Sequence, residues 1–138
     1  MERRDYILDE IRKFGQMVIG LLGKLQRLKE NVLYHSAFSM ADQEFESESG
    51  FSLRMLTEMN TESLTAFLDN HPELTPDNLE LLADLLIELS DDPGCDPRAF
   101  LTRAKDLLGL AIQRDKTWSA GREGRISWIN SKLGIPEG

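Results

Sequence analysis

The sequence predicts an all-α fold in which antiparallel helical hairpins form a bundle or a short solenoid of five to seven helices. Three observations support this prediction: a long 3.5-residue apolar periodicity near the start, two proline-marked helix starts in the second half, and no stretch that alternates apolar and polar residues as a half-buried strand does. The 138 residues, 41% of them hydrophobic, suffice to bury a core. We therefore expect a single domain over residues 1–138.

The first predicted helix carries the clearest pattern. Its apolar residues recur in steps of three and four along one face: Ile7, Ile11, Phe14, Val18, Leu21, Leu25, Leu28 and Val32. Gly15, Gly20 and Gly23 lie inside this helix, and each costs about 1 kcal/mol relative to alanine. Packing against neighbours therefore has to hold the helix together. The expected break points are Gly23 and the segment Lys29–Asn31.

A second helix is expected to run from about Asn31 through Phe45 and to end at the segment Ser47–Gly50. Gly50, which follows it, can adopt the left-handed conformation that caps a helix, and Phe51 can then fold back on the helix as in a Schellman motif. A shorter helix should cover Leu53–Met59.

The next two helices have clear boundary signals. Asn60 or Thr61 can cap a short helix that ends before Pro72, because the residue before a proline is pushed out of the helical region. Thr75–Asp77 then places a hydroxyl at the N-cap, a proline at the first helical position and a carboxylate near the positive end of the helix dipole. This helix should run to about Ser90.

The last two predicted helices repeat these signals. Asp96 and Pro97 start a helix whose apolar face carries Phe100, Ala104, Leu107, Leu108, Ala111 and Ile112. Ser119 can cap a final helix that Gly134 and Pro136 close. Its expected inward residues are Ile126, Ile129 and Leu133.

Two helices of the C-terminal half show the large and small residues of a tetratricopeptide helix pair: Leu82, Ala83 and Leu86, then Ala104, Leu108 and Ala111. Further features are Arg4–Leu8, Ile11, Phe14, Leu21–Gly23, and the helix starts at Thr75 and Asp96. Together they resemble a family of uncharacterised bacterial all-helical proteins that look like divergent tetratricopeptide domains. The resemblance implies a tetratricopeptide-like fold and, by analogy, protein binding, with no assigned activity.

Charge is distributed unevenly along the chain. The net charge is −8, and residues 42–96 hold 15 acidic residues against one basic residue, Arg54. This acidic balance disfavours a nucleic-acid partner, which requires a basic footprint. The longest apolar run, Met17–Gly23, is shorter than the roughly 20 residues that span a bilayer. With a single cysteine, Cys95, and a charged start unlike a signal peptide, the chain is expected to be cytoplasmic and not a membrane protein.

The residue types that carry chemistry form no recognisable constellation. Neither His35 nor His71 has the carboxylate three residues earlier that di-iron bundles use. The segment Asp91–Asp96 has calcium-loop composition, but its alignment puts apolar residues at the first and last ligand positions, so we expect a turn and a helix cap. Nearby aspartates disfavour the Cys95 thiolate. We expect no catalytic residues, cofactor or metal site.

An acidic stripe lies opposite the apolar face of the helix that starts after Thr75. Its members are Glu73, Asp77, Glu80, Asp84, Glu88 and Asp91. Like charges at this spacing repel by roughly a few tenths of a kcal/mol per pair. Two interpretations are open. The stripe is either a solvated face partly neutralised by Arg98, Arg103 and Lys105, or a surface for a basic segment of a partner, contacted through Glu80, Asp84 and Glu88.

Trp128 is the main candidate for a contact residue. The inward face of its helix leaves the indole turned away, between Arg125 and Lys132 and over Gly121 and Gly124. Interface hot spots are enriched in tryptophan and arginine. The alternative is a tryptophan buried inside the domain, since a terminal helix can be covered on two sides.

The function that these observations favour is a non-enzymatic protein-protein interaction module whose partner carries a basic segment. The predicted contacts are Trp128, Arg125 and Lys132 with Glu80, Asp84 and Glu88. The alternative is a self-associating, homodimeric structural protein that uses the heptad stripe of the first helix or the terminal helix. For the stripe itself, burial inside the domain is the favoured interpretation, since the pattern fails after Val32.

Overall fold

The computed structural model describes residues 3–29, 37–116 and 118–136, and within these ranges the chain forms seven helices and no strand. The predicted all-α class and the predicted number of helices are therefore confirmed. The helices are α1 (Arg3–Lys29), α2 (Ala37–Ser49), α3 (Leu53–Glu58), α4 (Thr61–Asp69), α5 (Pro76–Leu89), α6 (Pro97–Asp115) and α7 (Ala120–Leu133).

Five of the helices begin at a capping side chain, and the sequence predicts four of these caps, all except Ser52. Each cap accepts a hydrogen bond from a main-chain N–H two or three residues further on, which satisfies a donor that the helix leaves free. The caps are Ser52, Asn60, Thr75, Asp96 and Ser119. Asn60, rather than Thr61, therefore caps α4.

The predicted break at Gly23 is wrong, because α1 runs without interruption from Arg3 to Lys29. Leu21 and Leu25, on either side of Gly23, are buried in the core, and this burial offsets the low helix propensity of glycine. Phe14 and Val18 are buried in the same row, so the middle of the heptad stripe packs inside the domain, as expected. Four residues named in the sequence predictions lie outside the described ranges. They are Glu30 and Asn31, where the second break and the start of the second helix are expected, and Val32 and His35.

Gly50 ends α2 in the left-handed conformation, with φ of 86°, as predicted. Its N–H donates to the carbonyl of Glu46 over 2.9 Å, while the N–H of Phe51 goes to the Ser49 hydroxyl. This single-bond cap replaces the expected Schellman motif. Phe51 does fold back on the helix, with its ring edge-on to Phe45 at 5.1 Å between centroids.

The core is built around α5, which packs against α6 on one side and α1 on the other. Seven of its residues are buried: Asn78, Leu79, Leu82, Ala83, Leu85, Leu86 and Leu89. The pairing of α1 with α5 skips three intervening helices, as in a bundle, whereas the repeats of a solenoid contact their sequence neighbours.

α7 lies on α6 and runs antiparallel to it. Arg98, near the start of α6, donates to the carbonyl of Leu133 at the end of α7, and Asp115 at the end of α6 meets Arg122 near the start of α7. Within the described residues, no helix is both long and apolar enough to cross a bilayer.

Candidate functional site

A network of ion pairs joins α7 to α5. Arg122 is buried, with 4% relative exposure, and its guanidinium donates to Glu80 at 2.7 Å, Asp115 at 2.8 Å and Asp77 at 3.0 Å. Hydrogen bonding to Asp115 raises the pKa of Arg122, so this side chain is charged throughout the accessible pH range. A buried arginine of this kind is stable only because all its partners are anionic.

Arg125 extends the network one turn along α7. Its guanidinium donates to both carboxylate oxygens of Asp84, at 2.7 Å and 3.3 Å, and lies 3.6 Å from Glu80. Burial raises the pKa of Asp84, and the bond to Arg125 opposes that shift. The carboxylates of α5 and the two arginines of α7 therefore form one continuous seam, which we call the α5–α7 seam: Asp77, Glu80, Asp84, Arg122 and Arg125.

The acidic stripe is neutralised differently from the prediction, by Arg122 and Arg125 of the α5–α7 seam. Arg98 instead bonds to the Leu133 carbonyl, Arg103 reaches the Met59 carbonyl and Asp106, and the charge of Lys105 also acts on Asp106. Glu80 and Asp84, two of the predicted partner contacts, are engaged within the chain.

A groove opens beside the α5–α7 seam, where the end of α5, the start of α6 and the outer face of α7 meet. Its volume is about 430 Å³, within the range of roughly 300–1,000 Å³ typical of ligand pockets and larger than the groove of about 220 Å³ between α1 and the end of α2. It is lined by Ile87, Glu88, Ser90, Asp91, Pro97, Leu101, Trp128 and Lys132. Three of the six predicted contact residues, Glu88, Trp128 and Lys132, therefore meet in one place.

Trp128 forms one wall of this groove. Its side chain is 45% exposed, so the alternative of a tryptophan buried in the core is wrong. The Lys132 ammonium lies 5.4 Å from the centre of the indole, a cation–π contact that holds the ring in place. Ile129, the next residue along α7, is fully buried, which confirms the predicted orientation of this helix.

The expected surroundings of Trp128 are only partly correct. Arg125 turns to Asp84 instead of flanking the indole. Gly121 lies under Arg125, because a Cβ built there would be 3.2 Å from the guanidinium nitrogen Nη1. Gly124 is open, with no atom within 4 Å of a Cβ built on it.

The other candidate groups have structural surroundings. The ring of His71 lies 4.1 Å from that of Phe67, and its Nδ1 is 3.5 Å from a carboxylate oxygen of Glu73. The segment Asp91–Asp96 is a turn and a cap, as predicted, since the Asp92 carboxylate accepts the N–H of Gly94 and Asp96 caps α6. Over the described ranges, no three His, Cys, Asp or Glu side chains are grouped so that they could hold a metal ion.

The pKa of the Cys95 thiol rises to about 12. The direction matches the prediction, but the larger cause is burial and the charge of Asp92 is the smaller one. Such a thiol stays protonated at neutral pH and is a poor nucleophile.

Arg122, which anchors the α5–α7 seam, is not among the residues predicted from the sequence. Two signals could have found it: Arg122 and Arg125 are three residues apart on one helix, and Glu80 and Asp84 are four apart on another. Because the two arginines and the two carboxylates have similar spacings, they can form ion pairs when their helices lie side by side. Ile87, Pro97 and Leu101 gave no functional signal, because apolar residues at these spacings are typical of any core.

Neither a protein-family model, nor a curated protein, nor a solved structure matches this chain.

Proposed function

We propose that this chain is a non-enzymatic protein-interaction module that binds a peptide segment of a partner protein in the Trp128 groove. The observation that supports this most is that Trp128, Lys132 and Glu88 line a single groove with an apolar floor. An indole that is anchored on one side and open to solvent on the other is the type of side chain that dominates binding energy in interfaces.

The chemistry of the groove indicates the kind of segment that fits. Ile87, Pro97 and Leu101 offer an apolar surface for a side chain such as leucine. Around it, the chain is strongly acidic, since residues 42–96 hold 15 acidic residues against one basic residue, Arg54. Charge complementarity therefore favours a peptide that presents an apolar side chain flanked by lysine or arginine.

Glu80, Asp84 and Arg125 have a supporting role in this proposal. They hold α7 against α5 through the α5–α7 seam, and so set the position of Trp128 relative to Ile87 and Glu88. A partner is not required to neutralise these three side chains.

The experiment uses a fluorescently labelled peptide of alternating lysine and leucine and measures its binding by anisotropy. Trp128→Ala should raise the Kd by about tenfold or more, which is what loss of a hot-spot side chain produces. Trp118→Ala is the matched control, because Trp118 is the other tryptophan of the chain, is 77% exposed and does not line the groove. Equal losses in the two variants, or equal binding of a glutamate–leucine peptide, would contradict the proposal.

A further inference from the structure

The helix that carries Trp128 is attached to the domain differently from the helices of the core. α7 buries only Arg122 and Ile129, whereas α5 buries seven residues, six of them apolar. Ile126 and Leu133 add partly buried contacts. The ion pairs of the α5–α7 seam therefore add to a small apolar contact between α7 and the rest of the domain, and salt weakens these pairs where they reach solvent.

Two features of α7 oppose its docking. Gly124 lies in its interior, where glycine lowers helix stability, and Gly121 is a second glycine in its first turn. The side-chain oxygen Oδ1 of Asn130 is buried, and within the described residues it accepts no hydrogen bond. A buried acceptor of this kind loses its hydration when the helix docks and regains it when the helix leaves.

The connection before α7 is short and contains a strained residue. α6 ends at Asp115 and α7 begins at Ala120, so four residues join them. Lys116 has φ of 58° and ψ of 19°, and it is the only residue other than glycine with positive φ in the described ranges. This left-handed conformation is unfavourable for a side chain with a Cβ, and opening the connection relieves it. Short connections under strain favour the exchange of a terminal element between copies.

We propose that two copies of this chain can exchange their α7 helices. The surface of α5 and α6 that binds α7 in one chain is then covered by α7 of the other. The second copy is the occupant that fits because its Arg122 and Arg125 reproduce every pair made with Glu80 and Asp84. This inference goes beyond the proposed function, since it concerns how the groove is assembled. In the exchanged dimer, Glu88 and Leu101 of one chain line a groove with Trp128 and Lys132 of the other.

The exchange can be tested by reversing one ion pair in two separate full-length chains, Arg125→Glu and Asp84→Lys. Within either chain, positions 84 and 125 carry like charges, which weakens the docking of its own α7. In a mixed dimer with exchanged helices, both seams carry opposite charges. We expect equal amounts of the two chains to form a dimer containing one of each, which native mass spectrometry detects by its mass. If helical chains stay separate at every ratio and concentration, the inference is wrong.

A second pair of variants tests the connection between α6 and α7 in a chain whose α5–α7 seam is unchanged. Lys116→Gly removes the cost of positive φ and should keep the chain monomeric, whereas Lys116→Pro fixes φ near −65° and cannot form the closed connection. We expect Lys116→Pro to give at least tenfold more dimer than Lys116→Gly at the same concentration, measured by light scattering behind a sizing column. Equal masses for the two variants would overturn the inference. This test remains valid if the charge-reversed chains do not fold.

These readouts are independent of peptide binding. A mixed dimer that does not bind the lysine–leucine peptide would refute the proposed function and leave the exchange standing. Monomers that bind the peptide would do the reverse.

Discussion

The side-chain amide of Asn78 donates a hydrogen bond to the main-chain carbonyl of Ile11, 2.9 Å away, and so ties α5 to the middle of α1. The same amide nitrogen also donates to the carbonyl of Glu73 at 2.8 Å, which holds the side chain in one orientation at the start of α5. This approach of the two helices is possible because α1 has a glycine, Gly15, at the point of contact. A Cβ built on Gly15 would be 2.8 Å from Oδ1 of Asn78.

Gly15→Ala should therefore destabilise the domain although alanine is the better helix former. The added methyl group has to displace an amide that is fixed by two hydrogen bonds, and overpacking of this kind costs about 1–3 kcal/mol. Gly20→Ala is the matched control on the same helix, since nothing lies within 4 Å of its Cβ, and it should stabilise by up to about 1 kcal/mol. Urea unfolding of both variants measures the difference, and stabilisation by Gly15→Ala would contradict the contact.

Arg122→Met should destabilise the domain, because the variant keeps the bulk of the side chain and removes its charge. Hydrogen bonds to charged groups contribute roughly 1.5–3 kcal/mol, and since Asp77 is largely exposed and Asp115 partly exposed we expect a loss of about 2 kcal/mol. The free energy of unfolding in urea measures this loss.

Arg12→Met provides the control for Arg122→Met. Arg12 bonds to Asp9 on the open face of α1, where both side chains reach solvent, and exposed pairs of this kind contribute little. We expect no measurable change in stability for this variant. Similar losses for the two arginines would show that the α5–α7 seam has no special structural role.

Cys95 should react slowly with thiol reagents in the folded protein. At about pH 8, the rise of its pKa from 9.0 to about 12 lowers the thiolate fraction by about 1,000-fold relative to the unfolded chain. Ellman's reagent, with and without denaturant, measures the two rates. Equal rates would contradict the raised pKa.

The same shift predicts a loss of stability at alkaline pH. The folded chain keeps the Cys95 proton at a pH where the unfolded chain has lost it, so the contribution to stability is complete below about pH 9 and disappears as the pH rises toward about 12. Cys95→Ala should lose less stability over this interval than the natural chain. Parallel declines would show that other groups dominate.

The helix starts could be predicted from the sequence because their signals are local. Thr75 and Asp96 each precede a proline, and the hydroxyl or carboxylate that caps the helix lies within three residues of the N–H it binds. The break at Gly23 failed for the opposite reason. Its outcome depends on Leu21 and Leu25 being buried by distant parts of the chain, and burial outweighs local propensity.

The groove could be predicted only in part. The 3.6-residue period places Ile129 inward and Trp128 outward on α7, so the exposed indole follows from the sequence. The partners of Glu80 and Asp84 do not follow from the sequence. Arg122 and Arg125 are about 40 residues away, and their pairing requires α7 to lie along α5. Charge spacing on each helix indicates that a pair is possible, and the tertiary fold decides whether it forms.

Binding of peptides at Trp128 is tested by the fluorescence of a chain with Trp118→Phe, in which Trp128 is the only tryptophan. The indole is 45% exposed in the free chain, so its emission should move to shorter wavelength as a lysine–leucine peptide covers it. The midpoint of that shift should match the Kd from anisotropy. If the peptide binds by anisotropy while the emission of Trp128 does not change, the binding site lies elsewhere and the proposed function of the Trp128 groove is wrong.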